Sequence, residues 1–406
     1  MKVNIAVCGR FHYHHYVRYL DRAGLLGRFY YSHRMSSNAD TLQMTRERAV
    51  NLFAKEYLLG VHNRFARGWM ASEFAPLYAD LWQAGVLRRW AACDVLHLML
   101  HGSGAALIRR ARREGSAVAA EAVNRHPEAL NAILSEEHER LGLRAITGLL
   151  RIHERQVEEA LASDFLLAPS KMVRDSFVAR GYDSRRTAIL PYGVDLERFH
   201  PRDTCDQEPE TDRTFRVICV AQISPRKGQL YLLEAWKKLG LPRAELLLIG
   251  GAAHEMMPML RRYADLFTHI AAVPNQQLRD YYARSSVFVL SSVEDGFGQV
   301  CGEAMACGLP VIATGNCGAA EIIAEGVEGF VVPIRSPEAI AERLELLYRD
   351  EELRRRMSQA ALAKTRAELS WEKYASRLGE LYRSMRRSGA DAEGRPEAAA
   401  CVATIL

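Results

Sequence analysis

The stretch VEDGFGQVCGEAMACGLPVIATGNCG, residues 293–318, decides how the second half of the chain folds. It follows VFVLSS (287–292), an apolar run with the length and composition of a buried strand. The turn GFG (296–298) leads into a helical pattern over 299–307, and a second apolar run, PVIAT (310–314), comes next. A strand, a glycine turn, a helix and a strand in this order are typical of a parallel sheet with crossover helices.

The predicted helix places a carboxylate where a ligand can reach it. Glu303 lies at the edge of the apolar stripe that begins at Val300, so we expect its side chain to be half-buried. A buried carboxylate needs hydrogen-bonding partners, and the hydroxyl groups of a sugar or a ribose would supply them. An acidic pair, Glu294 and Asp295, stands just before the turn.

The glycine turn also predicts a phosphate site. Glycines let a ligand approach the backbone, and the start of a helix presents free N–H groups to an anion. The dinucleotide fingerprint GxGxxG is absent after the first strand, and no GxxxxGK[ST] P-loop is present. The site is therefore neither a dinucleotide site of the usual kind nor a P-loop.

A second stretch, VAQISPRKGQLYLLEAWKKL (220–239), has the same organisation. A strand ends near Ala221, a Ser-Pro turn follows, and a helix with an apolar face begins after Gly228. Lys227 at the mouth of this strand can reach a phosphate as a point charge. Taken alone, a solvated surface lysine would be the simpler interpretation.

Short apolar runs alternate with helical segments along the whole chain. The runs lie at 4–9, 94–100, 117–123 and 165–170 in the first half, and at 215–223, 244–251, 287–292 and 310–314 in the second. Near-continuous apolar strands separated by helices favour parallel sheets covered on both faces. We therefore predict an α/β fold of two doubly wound, Rossmann-like domains facing a cleft, with ligands at the carboxyl ends of the strands.

The domain boundaries follow from changes in composition. The first domain is expected over 1–200, a polar linker over 201–213 and the second domain over 214–368. Residues 41–90 have a helical pattern and predict a helical insertion, either packed helices or a surface that contacts a membrane. The tail from 388 to 406 is small and polar and is expected to be disordered.

Composition limits the class of protein. Hydrophobic residues make up 49% and charged residues 25%, as in ordinary globular proteins. The eight cysteines form no CxxC pair, which disfavours a zinc site and indicates a reducing compartment. Because no run of about 18 apolar residues is present, we expect a cytoplasmic protein without a membrane-spanning helix.

Charge is uneven between the two halves of the chain. Residues 1–200 carry 28 Lys and Arg against 21 Asp and Glu, within a net charge of +5 for the chain. This balance suits an anionic partner or a membrane surface as well as it suits an ordinary solvated surface. Peripheral contact with the inner face of a membrane and an ordinary solvated surface are both left open, and we expect no binding of nucleic acid.

Together the two stretches resemble the retaining glycosyltransferases of family 4, which have the GT-B fold. The family pattern EGFGxxxxEAMAxGxPVI is similar to DGFGQVCGEAMACGLPVI here. The resemblance assigns Asp295 to the first acid and Glu303 to the second, although Asp is one methylene shorter than the usual Glu. Glu294 is the alternative for the first acid.

Further segments carry the resemblance. In the family's GRLSPEKG-like segment, Lys227 is kept, but Gln222 stands where Arg is usual and Arg226 is available to offset it. The segments 168–201 and 273–292 are similar to the family's end of the first domain and its nucleotide-base region. The segment 369–387 resembles the C-terminal helix that crosses back to the first domain.

The resemblance implies roles for the residues of the second domain. Glu303 would hold ribose hydroxyls, Asp295 the hydroxyls of the donor sugar, and Lys227 the leaving diphosphate. The implied donor-binding residues are Gln222, Arg226, Glu294, Gly296, Phe297, Gly298, Gln299, Val300, Gly250, Val273, Pro274 and Asn275. No DxD motif precedes a plausible site, so we expect neither an essential metal nor another cofactor.

The first domain is expected to bind the acceptor. Gly9, Arg10 and His12 follow the first strand, where the family has a glycine-rich loop. A histidine that follows a later strand faces the donor sugar in the family. His126 is the candidate for that catalytic position, and His101 is its rival.

The function implied is transfer of a sugar, with retention, from a nucleotide-diphosphate sugar to a glycan or lipid-linked acceptor in polysaccharide or glycolipid synthesis. Asp295 and Gln222, which depart from the family pattern, motivate an alternative: a catalytically weak protein that binds sugar nucleotides or glycans. A Rossmann oxidoreductase is disfavoured because the glycine fingerprint is absent.

Overall fold

Two parallel β-sheets organise the chain in a computed structural model, which describes residues 1–9, 11–32, 44, 47–65, 71–144, 150–201 and 214–390. By its internal contacts the chain divides into two compact units. The first comprises residues 1–129, 147–191 and the chain from Trp371 onward, and the second comprises residues 130–146 and 192–370. The two Rossmann-like α/β domains predicted from the apolar runs are confirmed.

The first unit contains a seven-stranded parallel sheet in the order β3-β2-β1-β4-β5-β6-β7. Its strands are β1 (Val3–Val7), β2 (Leu26–Tyr31), β3 (Ala49–Asn51), β4 (Val95–Met99), β5 (Ala117–Glu121), β6 (Phe165–Ala168) and β7 (Thr187–Ile189). The helices of this part of the chain are α1 (Tyr13–Arg22), α2 (Ala54–Phe65), α3 (Ala71–Arg88), α4 (Ala105–Arg113), α5 (Pro127–Arg140), α6 (Arg151–Ala162) and α7 (Lys171–Val178).

The second unit contains a six-stranded parallel sheet in the order β10-β9-β8-β11-β12-β13. Its strands are β8 (Phe215–Val220), β9 (Ala244–Ile249), β10 (Thr268–Ile270), β11 (Val287–Leu290), β12 (Val311–Thr314) and β13 (Gly329–Val332). The remaining helices are α8 (Gln229–Leu239), α9 (Met257–Leu260), α10 (Leu278–Ala283), α11 (Gln299–Ala306), α12 (Pro337–Arg349), α13 (Glu351–Glu368) and α14 (Trp371–Ala390).

Strand order creates one switch point in each sheet. In the first, the chain adds β2 and β3 on one side of β1 and then begins β4 on the other. In the second, β9 and β10 are added on one side of β8 before β11 pairs with its other side. Because the loops that leave a switch point diverge, ligands bind there at the carboxyl ends of the strands.

Buried apolar side chains fix the registers of both sheets. Leu96, Val118 and Leu166, on neighbouring strands of the first sheet, belong to one core cluster and are fully buried. Val217, Leu246 and Val289 belong to the core of the second sheet and are also fully buried or nearly so. All eight apolar runs predicted as strands contain strands. The five strands that were not predicted are β2, β3, β7, β10 and β13, several of them short edge strands.

Some predicted boundaries differ from the division by contacts. Residues 130–146 and 192–200 were expected in the first domain but pack within the second unit. Glu137 of α5 accepts hydrogen bonds from Tyr231 and Arg335 of the second unit, which explains the first difference. Within the predicted helical insertion, residues 49–51 form the edge strand β3 rather than a helix.

The C-terminal helix α14 begins at Trp371 and belongs to the first unit. The Tyr382 hydroxyl lies 2.6 Å from His97 Nδ1 of β4, and Trp371 stacks on the ring of His12. Most of the expected linker and the tail beyond residue 390 lie outside the described residues. None of the helices described is both long and apolar enough to cross a membrane.

Candidate functional site

The turn after β11 has a backbone conformation that requires glycine. Gly298 has φ +77°, in the left-handed region, and caps the start of α11. A Cβ at this position would lie 2.5 Å from Cys317 Sγ and 2.9 Å from Leu290 Cδ2. The close packing fixes the entry of α11, whose first N–H groups lie at the switch point of the second sheet.

The turn after β8 lies against the same strand end. Residues Pro225–Lys227 form one turn of 3₁₀-helix, and Gly228 follows with φ +63°. A Cβ on Gly228 would overlap the carbonyl oxygen of Ser291, directly after β11. The two turns predicted separately from sequence are therefore neighbours, because β8 and β11 pair in the sheet.

Two ion pairs join these turns in matching order. Lys227 Nζ forms a salt bridge with Asp295 Oδ2, and Arg226 Nε lies 2.8 Å from Glu294 Oε2. The Lys227 and Asp295 side chains are 19% and 13% exposed, whereas the Glu294 side chain is fully buried. Asp295 is therefore the acid that a ligand can reach. The alternative of Glu294 as the first acid is disfavoured because its carboxylate is buried against Arg226.

Glu303 on α11 is half-buried, as its position on the apolar stripe predicted. The Tyr282 hydroxyl donates to Glu303 Oε2 over 3.2 Å, and Tyr282 itself is fully buried. Burial raises the pKa of Glu303 to about 7, although the Tyr282 hydrogen bond and Arg198 act in the opposite direction. This carboxyl can therefore both accept and donate hydrogen bonds near neutral pH.

The remaining predicted donor residues fall into two groups. Gly296 and Phe297 are buried in the turn, while Gln299 and Val300 are half-buried in the first turn of α11. In the described part of the chain, the backbone N–H groups of Phe297 and Gly298 donate to no protein acceptor. Such groups can bind the oxygen atoms of an anion.

The second group lies farther along the sheet edge. The Gln222 side chain is exposed, and the Gln222 carbonyl accepts from Gln229 Nε2 over 3.0 Å. Gly250 has φ +142° and follows β9, while Val273, Pro274 and Asn275 precede α10. Pro274 and Asn275 are exposed. Arg226 was expected to offset the missing Arg at position 222, but its Nε points to Glu294.

His101 lies at the switch point of the first sheet, two residues after the end of β4. Its ring packs edge-to-face on Phe11 at 5.1 Å and lies close to Gly9, whose φ is +135°. Burial, with a further contribution from Lys55, lowers the pKa of His101 to about 4. His101 is therefore neutral near neutral pH. Arg10, the neighbouring candidate, lies outside the described residues.

His12 and His126 are engaged inside the first unit. His12 Nε2 lies 2.9 Å from Glu121 Oε1, and only 6% of His12 is exposed. His126 Nδ1 accepts from the backbone N–H of Glu128 over 3.3 Å, and its ring packs on Phe177. Burial lowers the pKa of His126. These contacts favour structural roles, and the acceptor and catalytic roles of the two histidines stay predictions.

Sequence reasoning missed two buried carboxylates near the first switch point. Glu121 ends β5 and meets both His12 and His97, at 2.9 and 3.2 Å. Burial alone would raise the pKa of Glu121, but the two histidines more than offset it and hold that pKa well below its usual range. A single charged residue at the end of the apolar run AVAAE was the available signal.

Glu159 of α6 shapes the loop after β4. Its carboxylate accepts hydrogen bonds from the backbone N–H groups of His101, Gly102 and Gly104. Burial nevertheless raises the pKa of Glu159 to about 7. No sequence signal distinguished this residue from the other acids of its helix.

No group of three or more His, Cys, Asp or Glu side chains arranged to hold a metal ion occurs among the described residues. His12 and His15, which are close in sequence, stack on Trp371. The expectation that no metal is essential stays a prediction.

Comparison with known proteins defines the class of the second unit. Residues 202–364 match the sequence profile of a family described as glycosyl transferases group 1. The chain is 28% identical over 251 residues to a D-inositol 3-phosphate glycosyltransferase of Xylanimonas cellulosilytica, covering 57% of this chain and 59% of that protein. It is 32% identical over 214 residues to a GDP-mannose-dependent monoacylated alpha-(1-6)-phosphatidylinositol monomannoside mannosyltransferase of Corynebacterium glutamicum, covering 48% and 55%. The matched part thus spans little more than half the length of these relatives.

Solved structures match over nearly the whole chain. Sucrose-phosphate synthase of Thermosynechococcus elongatus aligns with a TM-score of 0.68 at 19% identity, covering 95% of this chain and 98% of that one. HepE of Anabaena, solved with UDP and glucose, aligns with a TM-score of 0.65 at 15% identity, covering 95% and 100%. The fold is that of the GT-B glycosyltransferases. On that fold, residues 202–364 are similar to the group 1 glycosyltransferases.

Proposed function

We propose that the protein is a retaining glycosyltransferase that moves a sugar from a nucleotide-diphosphate sugar to a glycan or lipid-linked acceptor. The observation that carries the proposal is the Lys227–Asp295 pair beside the start of α11 in a group 1 glycosyltransferase domain. A cation, a reachable carboxylate and free N–H groups at one switch point suit a sugar diphosphate. The alternative of a catalytically weak binding protein becomes an outcome of the test.

Each group has a distinct task in this proposal. Glu303 hydrogen-bonds the ribose hydroxyls, for which a half-buried carboxyl with both donor and acceptor capacity is suited. Lys227 and the N–H groups of Phe297 and Gly298 stabilise the negative charge that develops on the leaving diphosphate. When the donor binds, Asp295 gives up its ion pair with Lys227 and accepts hydrogen bonds from the hydroxyls of the donor sugar.

The proposed reaction needs no base from the protein. The bond from the sugar C1 to the diphosphate oxygen breaks, and the acceptor oxygen bonds to C1 on the same face. The acceptor proton passes to the leaving phosphate oxygen. Configuration at C1 is then retained, and no divalent metal takes part.

The relatives suggest which substrates to try first. Their names specify GDP-mannose as a donor, and inositol phosphate or phosphatidylinositol mannoside as acceptors. We propose that this chain uses a related phosphate-bearing or lipid-linked acceptor, bound by the first unit. The test combines thermal unfolding with UDP, GDP, ADP and dTDP, followed by transfer assays with sugars of the nucleotide that binds. Nucleotide binding without turnover on any acceptor would favour the binding protein, and stabilisation by NAD alone would contradict both.

Peripheral contact with a membrane is part of the proposal. Helices α2 and α3, which pack together through His62 and Phe74, expose large apolar side chains. They are Tyr57, Leu58, Val61, Phe74, Leu77 and Leu81. Helix α4 contacts α3 and carries exposed arginines at 109, 110, 112 and 113. Apolar side chains beside arginines suit an anionic lipid surface.

Vesicle co-sedimentation tests the membrane contact. We expect binding to vesicles with anionic lipid. The Leu77→Ser/Leu81→Ser variant should bind about tenfold more weakly, because each change removes apolar area that the membrane would bury. Leu161→Ser on α6 is the matched control, since Leu161 is also highly exposed. Equal binding by all three proteins, or none by the wild type, would contradict the contact.

A further inference from the structure

A fully buried carboxylate lies directly behind the proposed diphosphate site. Glu294 has no solvent exposure, and its Oε2 accepts from Arg226 Nε over 2.8 Å. The same Arg226 Nε lies 3.2 Å from the Glu294 carbonyl oxygen. A buried carboxylate is costly unless it is paired in good geometry, so this contact holds Arg226 in place.

The backbone reinforces the contact between the two turns. The N–H groups of Val293 and Glu294 both donate to the Arg226 carbonyl oxygen, at 2.9 and 3.3 Å. The Ser291 hydroxyl donates to the Lys227 carbonyl oxygen over 3.4 Å. The turn at 225–228 is therefore attached to the end of β11 by both main-chain and side-chain bonds.

Lys227 does not contact Glu294 through its side chain. Its side chain reaches Asp295, the next residue along, so the pairs 226–294 and 227–295 run in step. A lysine stem has four rotatable bonds, and the direction of its ammonium group depends on the backbone from which it starts. That backbone is the residue next to Arg226.

We propose that Glu294 is a positioning residue for the transfer reaction: by fixing Arg226 it sets the turn that directs Lys227 at the diphosphate. The inference rests on the proposed function. It assigns Glu294 no contact with substrate, since its carboxylate is buried and turned toward Arg226. It also gives Arg226 a different task from direct binding of the donor phosphate.

A double-mutant cycle with Lys227→Ala separates positioning from a general structural role. The measurements are the dissociation constant of the nucleoside diphosphate that the wild type binds, and kcat and KM for hydrolysis or transfer of its sugar. Glu294→Gln keeps the size of the side chain and removes its charge. We expect it to weaken binding and lower kcat/KM about tenfold in the wild-type background, and less than about twofold once Lys227 is alanine.

Two further variants keep the test decisive. Arg226→Lys preserves the charge but not the geometry of Nε, and should reproduce the effect if Glu294→Gln folds poorly. Glu245→Gln is the matched control, because Arg216 and Glu245 form an Arg–Glu pair of the same 2.8 Å length on the second residues of β8 and β9. The control should leave binding and turnover unchanged.

The outcomes distinguish the inference from the function on which it rests. An equal loss with and without Lys227 would overturn the positioning role and indicate that Glu294 or Arg226 acts on the donor independently. A wild type that binds no nucleoside diphosphate would overturn the proposed function, and the positioning role with it.

Discussion

The hydroxyl group of Tyr282, which is fully buried in the second unit, donates a hydrogen bond to Oε2 of the half-buried Glu303 over 3.2 Å. Burial affects the pKa of Glu303 more than this hydrogen bond does: the pKa rises from 4.5 to about 7 although the hydrogen bond acts to lower it. Ionised Glu303 is therefore disfavoured in the folded protein relative to the unfolded chain.

Stability should consequently depend on the pH through Glu303. A carboxyl with a raised folded pKa stabilises the fold below its unfolded pKa of about 4.5, and this contribution is lost as pH rises through about 7. As pH rises from 5 to 8, the free energy of unfolding of Glu303→Gln should increase relative to that of the wild type by roughly 2 kcal/mol, after allowance for the partial exposure of Glu303. Thermal unfolding at both pH values measures the change. A constant difference between the two proteins would contradict the raised pKa.

Asp295 should be needed for sugar transfer but not for nucleotide binding. Asp295→Asn removes the charge that faces the donor sugar, so we expect transfer to fall about 10²–10³-fold. The change also frees Lys227 from its ion pair, so the dissociation constant of the nucleoside diphosphate should be unchanged or lower. Calorimetric titration and a transfer assay on the same preparation measure both. Loss of nucleotide binding would show that Asp295 holds the nucleotide rather than the sugar.

Gly298 should tolerate no side chain. An alanine there combines a left-handed φ with overlap on Cys317 and Leu290, and should cost about 2–5 kcal/mol. Gly326 provides the control, since its φ is +78° and a Cβ would have no neighbour within 4 Å. Gly326→Ala should therefore cost only about 1 kcal/mol. Denaturant unfolding of the two variants gives the comparison, and equal losses would show that packing is not the cause.

Glu121 should make the first unit sensitive to acid. A carboxyl with a lowered pKa stabilises the fold above its unfolded pKa, and the contribution is lost as pH falls below about 4.5. Glu121→Gln leaves His12 and His97 without their anion and should cost about 3–5 kcal/mol at pH 7. The cost should shrink as pH falls toward 3. Tryptophan fluorescence during unfolding reports the change, because Trp371 stacks on His12. A loss that is independent of pH would contradict the ionised state.

Transfer should continue when divalent metal is removed. Lys227 and backbone N–H groups are the proposed partners of the leaving diphosphate, so a chelator such as EDTA should change kcat less than about twofold. Activity that disappears with EDTA and returns with Mg²⁺ or Mn²⁺ would contradict this expectation. A preparation dialysed without chelator serves as the control.

Much of the second unit could be predicted from local sequence. The glycine turn, the apolar stripe of α11 and the strand before it are encoded within residues 287–314, so their order and the half-buried state of Glu303 followed directly. Lys227 and Asp295 each follow a predicted parallel strand, so both were expected at the carboxyl edge of a sheet, and the pairing of β8 with β11 brings them together. The local sequence pattern was enough to predict the structure where strands and helices that contact each other also follow one another along the chain.

The features that were missed depend on distant parts of the chain. Glu294 was left as an alternative ligand because nothing near it in sequence reveals Arg226, which is 68 residues away. Glu121 is partnered by His97 of the adjacent strand and by His12 after β1, and strand order had to be known first. Tyr382 reaches His97 from 285 residues away. Such pairings follow from the topology and not from any local periodicity.

The placement of α14 in the first unit has a consequence for biosynthesis. The polypeptide emerges from the ribosome starting at its first residue, and domains generally fold as they are completed. Here the second unit ends at Ser370, so it is fully synthesised before the first. The first unit still lacks Trp371 and Tyr382, and with them the contact of Tyr382 with His97. Nascent chains halted before α14 should thus expose His97 and the adjoining aromatic side chains, and chaperones would find their binding sites there rather than in the half of the protein made later.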